Sequence, residues 1–145
     1  MREGIGSAFV YSVVITIVGI ILLLIVGSIG YSKAFKVNSR IIEIIESNNG
    51  FTTGQTNSAE AEIGTALSEI GYRVSSGNRK CPTKYGEALS SAYYNYDYCV
   101  YKHDSYRGVY YTVLTYMYFD FPIIGDLIKI EFKNQTKTLN LFGGD

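Results

Sequence analysis

The sequence predicts an α+β fold: one long amino-terminal helix, then a small domain of a short helix and a four-stranded antiparallel sheet. Three observations predict it. Residues 8–29 contain no charged side chain, whereas the rest of the chain has ordinary polarity. Val37, Ile41, Ile44 and Ile45 recur at helical spacing directly after that stretch. The carboxy-terminal half is dense in tyrosine and breaks into short runs of alternating polarity separated by turn residues. The chain has 145 residues, enough for one modest domain. Its 13 basic and 13 acidic side chains leave it neutral, and nucleic-acid partners call for a basic excess or stripe. No nucleic acid is expected.

The apolar stretch from Ala8 to Ile29 is 22 residues long. A bilayer core needs about 20 helical residues. The signal peptide is its rival, but apolar signal cores run to roughly 7–15 residues and end at a small-x-small site, which Gly27-Ser28-Ile29-Gly30 imitates only loosely. Residues 1–7 form a short head, 8–29 a transmembrane helix, 30–47 its amphipathic continuation and 48–145 the domain. No proline or glycine interrupts residues 31–46, and Ser47-Asn48-Asn49-Gly50 supplies the stop. A helix from near Ser7 to about Ser47 is roughly 60 Å long at 1.5 Å per residue. Ala8, Ser12, Thr16, Gly19, Gly27, Gly30 and Ala34 make a row of small residues interrupted by Leu23. Such rows let helices approach closely in lipid. Two readings stand: a subunit-packing face, or the usual abundance of small residues in membrane helices. The flanks disagree on orientation. Lys33, Lys36 and Arg40 favour the domain inside, while the short head and the cysteine pair favour it outside, which is the reading adopted.

Residues 51–57 read as a loop. Asn57 with Glu60 resembles a capping pair, and Ala59, Ile63, Ala66, Leu67 and Ile70 form one apolar face, closed by Gly71. Residues 58–70 are therefore a helix. Residues 75–86 carry turn chemistry, and 87–92 read as a helical turn or the approach to a strand. The expected strands are Tyr93 to Tyr101, Val109 to Phe119, Leu127 to Lys133 and Thr136 to Phe142. His103 to Gly108 and Asn134-Gln135 are the expected hairpin turns. One face of the sheet would pack on helices and the other would meet water.

Cys81 and Cys99 lie 18 residues apart with no CxxC, and the single histidine is His103. A structural zinc site needs about four ligands, so no metal is expected. Outside the cytosol the pair reads as a disulfide; otherwise it is two buried thiols. His103 beside Asp104 could orient a general base, but no nucleophile joins them. The chain is read as no enzyme and as needing no cofactor. Asn134-Gln135-Thr136 matches a glycosylation sequon in the expected tight turn. Tyr93, Tyr94, Tyr96, Tyr98, Tyr110 and Tyr111 are candidate surface contacts; strand propensity with half-burial explains the same residues equally well.

The head Arg2-Glu-Gly-Ile-Gly-Ser-Ala-Phe-Val-Tyr11 and the helix exit Gly30-Tyr-Ser-Lys-Ala-Phe-Lys-Val-Asn38 resemble the pilin-like superfamily, most closely the TadE-like pseudopilins of bacterial tight-adherence pili. The resemblance covers roughly the first 45 residues. It implies a pilin-like fold and a structural role: a single-pass subunit with its domain outside the cell, packing through its helix against identical subunits or other pilins in an extracellular filament. It also implies lipid around the helix before assembly, a secretion platform, and a prepilin peptidase cutting at Gly6–Ser7, with Gly4–Ile5 as second choice. Counted from Ser7, the fifth position, where pilins usually carry glutamate, is Tyr11; counted from Ile5 it is Phe9. The alternative is a bitopic surface protein whose tyrosine-rich sheet binds a partner or polymer without a filament.

Overall fold

The structure is a computed structural model that describes residues 2–54, 56–72, 81–89, 98–118 and 129–139. Its first element is one unbroken helix, α1 (Arg2–Ser47). Ala34, Val37, Asn38, Ile41, Ile44 and Ile45 are buried along one side of its second half. Each isoleucine so buried stabilises the fold by about 1.5–3 kcal/mol. The helix stops where the sequence says it should. Asn49 takes a positive φ of 51°, Gly50 N donates to Ile45 O at 2.9 Å, and Asn49 N donates to Glu46 O at 3.2 Å. These two bonds satisfy carbonyls that the last turn leaves open. Gly50 has a φ of 145°, and a Cβ there would stand 3.0 Å from the Tyr111 hydroxyl.

Helix α2 (Ala59–Ile70) packs against α1. Its cap is Ser58, whose hydroxyl accepts from Ala61 N at 3.3 Å, rather than the expected Asn57. Glu60 is buried, 6% exposed. Gly71, at φ 67°, ends the helix as expected.

The sheet holds β1 (Tyr98–Ser105), β2 (Gly108–Tyr118) and β3 (Lys129–Gln135), antiparallel, with β2 in the centre. Three strands among the described residues replace the four expected. The difference lies at Asn134-Gln135, which is not a turn. Asn134 pairs with Val113 and Gln135 with Thr112 inside β3. The chain then keeps following β2: Thr136 N donates to Tyr111 O, and Leu139 exchanges both backbone bonds with Val109. Between Thr112↔Gln135 and Val109↔Leu139, three steps on β2 oppose four on the other chain, the signature of a bulge. An eleven-residue central strand still has partners to offer beyond Gln135, and Asn-Gln lacks the glycine that a tight turn favours. The other turn also moves. Ser105 pairs with Gly108, so only Tyr106 and Arg107 turn the chain, and His103 and Asp104 belong to β1.

Both faces of the sheet are covered. Tyr98, Val100, Val109, Tyr111 and Val113 meet α1 and α2. On the opposite face Cys99, Tyr101, Leu114 and Tyr116 form a second core against Cys81, Tyr85 and Ala88, where open water was expected. Residues 98–101 are buried without interruption, the pattern of a strand covered on both sides. The Cys81–Cys99 disulfide is formed and holds the covering segment down. Leu89 N donates to Val100 O at 2.8 Å, Ala88 bridges Tyr101, and the Tyr101 hydroxyl donates to Pro82 O at 2.6 Å. The segment thereby also shields the edge of β1.

Candidate functional site

The first half of α1 leaves the domain altogether. Phe9, Tyr11, Ile15, Leu24 and Ile29 are 64–71% exposed, and nearly all their apolar neighbours on the helix are open as well. This part of α1 is long and apolar enough to cross a membrane, and none of its most apolar window is buried inside the chain. The Thr16 hydroxyl is satisfied locally, donating to Ser12 O at 2.8 Å, which makes the group tolerable away from water.

The small-residue row keeps to one side of this rod. Ala8, Ser12 and Thr16 are exposed, Gly19, Gly27 and Gly30 are half-buried, and Ala34 is 2% exposed beneath the domain. At 3.6 residues per turn the same side continues into Val37, Ile41 and Ile45. The row and the core-facing stripe are therefore one surface. Its upper part is occupied by the chain's own domain, and its lower part is open. A helix laid along Ala8, Ser12, Thr16 and Gly19 meets only side chains of α1 until it reaches the underside of the domain. A Cβ built on Gly19 meets nothing within 4 Å. Gly4, Gly6 and Ser7 are exposed, and both candidate cleavage bonds lie within α1.

The other sequence candidates separate. Tyr98 and Tyr111, read as surface contacts, are 4% and 7% exposed and belong to the core. Tyr110 is half-buried and stacks on His103, ring centroids 4.9 Å apart. Tyr93, Tyr94 and Tyr96 lie outside the described residues. His103 and Asp104, as neighbours in a strand, project to opposite faces. His103 meets Tyr110, and Asp104 sits 3.5 Å from the Lys102 ammonium, so the dyad is not assembled. Asn134 Oδ1 accepts from Gln135 N, and Thr136 is buried with its hydroxyl accepting from Tyr111 N, so the sequon is part of the sheet.

Other tyrosines among the described residues do structural work. The Tyr72 hydroxyl accepts from Tyr116 N and donates to Tyr116 O, both at 3.1 Å. Burial, with the Glu131 charge and Tyr85 adding to it, pushes the Tyr101 hydroxyl above its ordinary pKa of 10.0. Asn38 was not singled out from the sequence. It is 3% exposed and its amide nitrogen reaches Thr115 Oγ1 at 3.0 Å and the carbonyls of Val113 and Phe132 at 3.3 Å. One polar side chain thus ties α1 to β2 and β3. The available signal was an asparagine within a stripe otherwise made of Ala34, Val37, Ile41 and Ile45.

No protein-family model, no curated protein and no solved structure matches the chain.

Proposed function

We propose that this chain is a non-enzymatic, membrane-anchored subunit of pilin-like type, resembling the TadE-like pseudopilins, that packs through the free half of α1 into an extracellular filament or its assembly machinery. The observation that carries this reading is the division of one uninterrupted helix. Its first half is apolar and bare, and its second half is the spine of the domain. A bare apolar helix needs either lipid or other helices around it. The open row of small residues gives identical subunits or other pilins a place to approach. Exchange of lipid for neighbouring helices costs little hydrophobic energy, so close packing decides the outcome. The disulfide supports an oxidising surrounding and hence a domain outside the cell. Prepilin peptidase and a secretion platform follow from the resemblance alone.

The test is substitution on the open face. Ser12→Leu and Gly19→Leu fill the row on the bare half of α1, where Ser12 is exposed and a Cβ added at Gly19 meets nothing within 4 Å. Each should reduce filament yield in sheared surface material while the domain keeps its melting temperature. Normal filaments from both variants would end the packing-face reading. Negative-stain microscopy with labelled domain separates this function from a bitopic surface protein: labelled fibres support the subunit, and label confined to the envelope supports the alternative. Burial of Tyr98 and Tyr111 removes two of the tyrosines on which that alternative rested.

A further inference from the structure

A groove of about 390 Å³ lies where α1 leaves its apolar stretch, lined by Ser28, Ile29, Ser32, Lys33 and Lys36 of α1 and by Ile70 at the end of α2. Ser28, Ser32 and Lys36 follow one another at steps of four along one row of the helix, and Ile29 and Lys33 stand on the next row. From Ser28 to Lys36 the helix climbs about 12 Å. The polar interface of a bilayer leaflet is roughly 5–8 Å thick. With Ile29 closing the hydrocarbon span, Ser28 stands at its edge, Ser32 and Lys33 rise about 4.5–6 Å into the headgroup layer, and Lys36, about 10 Å above Ile29, reaches that layer by its long stem, which leans toward the helix amino terminus. Ile29 and Ile70 line the same groove.

The charges are free for such a role. Among the described residues neither Lys33 nor Lys36 has an ion-pair partner, whereas Arg40, one turn on, is held by Glu43 at 2.7 Å. The nearby acids of α2, Glu62 and Glu69, act on Arg40. At the groove itself α2 presents Ile70. Lysine stems lie readily along apolar surface with the ammonium in water, and two ammonium groups with two hydroxyl donors match a phosphate oxygen set.

We infer that this groove binds the phosphate of an anionic membrane lipid, with Lys33 and Lys36 as the charge partners, Ser28 and Ser32 as hydroxyl donors, and Ile29 and Ile70 against the first acyl carbons. The inference rests on the membrane-anchored reading of α1. A zwitterionic lipid carries its own cation beside the phosphate and gains less from the lysines. Each lysine near an anionic surface contributes about a fivefold preference, so the pair contributes about twenty-fivefold.

The full chain in neutral detergent micelles, titrated with phosphatidylglycerol, phosphatidylcholine or glycerol phosphate and followed by native mass spectrometry, tests this. Phosphatidylglycerol should be retained over phosphatidylcholine. The double variant Lys33→Gln, Lys36→Gln should lose about twenty-fivefold of that retention, and the equally charged control Lys84→Gln, Lys102→Gln should keep it. Equal losses in both variants, or none in the first, overturn the groove. Glycerol phosphate binding as tightly as the lipid overturns the lipid as ligand. Flotation with phosphatidylcholine vesicles reads the anchor separately. A chain that floats but shows no phosphatidylglycerol preference loses the groove and keeps the anchor, and a chain that does not float loses both.

Discussion

Removing the Cys81–Cys99 bond should both loosen the domain and uncover its second core. The bond closes a loop spanning 18 positions. Loop-closure entropy for a ring of about that size is about 11 cal/mol/K, or about 3 kcal/mol at 25 °C. For a domain of this length each kcal/mol moves the melting temperature by about 4–8 °C, so the fall should be about 12–24 °C. The bond tethers Tyr85 and Ala88 over Cys99, Tyr101, Leu114 and Tyr116. Without it, the cover keeps, among the described residues, the Leu89–Val100 and Tyr101–Pro82 hydrogen bonds, the Lys133 ammonium over the Tyr85 ring and side-chain packing. The assay is thermal unfolding of the full chain in detergent, followed by circular dichroism, for the wild type and for Cys81→Ser, Cys99→Ser. Binding of a hydrophobic dye to the folded variant reads the uncovered face. A fall of less than about 4 °C with no added dye binding would refute the reasoning. So would an intact mass showing two free thiols in protein purified without reductant.

Three other perturbations probe the anchor-to-domain contact and the outer face. Ile41→Ala, at a fully buried position on α1, should cost about 2–5 kcal/mol by urea unfolding of the full chain. Asn38→Leu keeps the bulk but leaves Thr115 and the carbonyls of Val113 and Phe132 without their shared donor, and should cost about 1–3 kcal/mol in the same assay; an unchanged midpoint would show that the amide does not tie helix to sheet. Tyr101 has a folded-state pKa above 10.0, so the neutral form that the fold favours contributes stability below pH 10 that is lost as pH rises through the folded value. Melting temperatures from pH 8 to 11 should therefore fall more steeply for the wild type than for Tyr101→Phe, and parallel curves would show that this hydroxyl is not responsible.

The helical part of the fold was legible because its signals are local. The 3.6-residue spacing of Val37, Ile41, Ile44 and Ile45, the left-handed demand met by Asn49, and Gly71 after Ile70 each depend on neighbours in sequence. The cysteine pair was legible as one of two readings. The sheet was harder to read because its decisive facts are non-local. Asn134-Gln135 has the spacing of a two-residue turn, and only the length of β2 shows that the chain runs straight on. The tyrosines carry the same ambiguity. Propensity places Tyr98 and Tyr111 in strands, but which side of a strand is buried depends on what lies above and below it. Here a segment tethered by Cys81 covers the second side, and that covering cannot be read from the strand. The groove at the end of the apolar stretch escaped for a similar reason: Ile70, its far wall, arrives from α2.

The unbroken passage of α1 from anchor to core also has a mechanical consequence. Between Ile29, the last apolar position of the bare half, and Ala34, the first residue buried by the domain, there are five helical steps, or about 7.5 Å. No flexible leash separates the two. A pull along the helix axis is therefore not taken up by slack. It arrives as shear between α1 and the sheet, at Val37, Ile41 and the three acceptors gripped by Asn38. The domain cannot swing away from its stem under load. It holds or it unfolds, and the strength of that one contact sets the force at which it gives way.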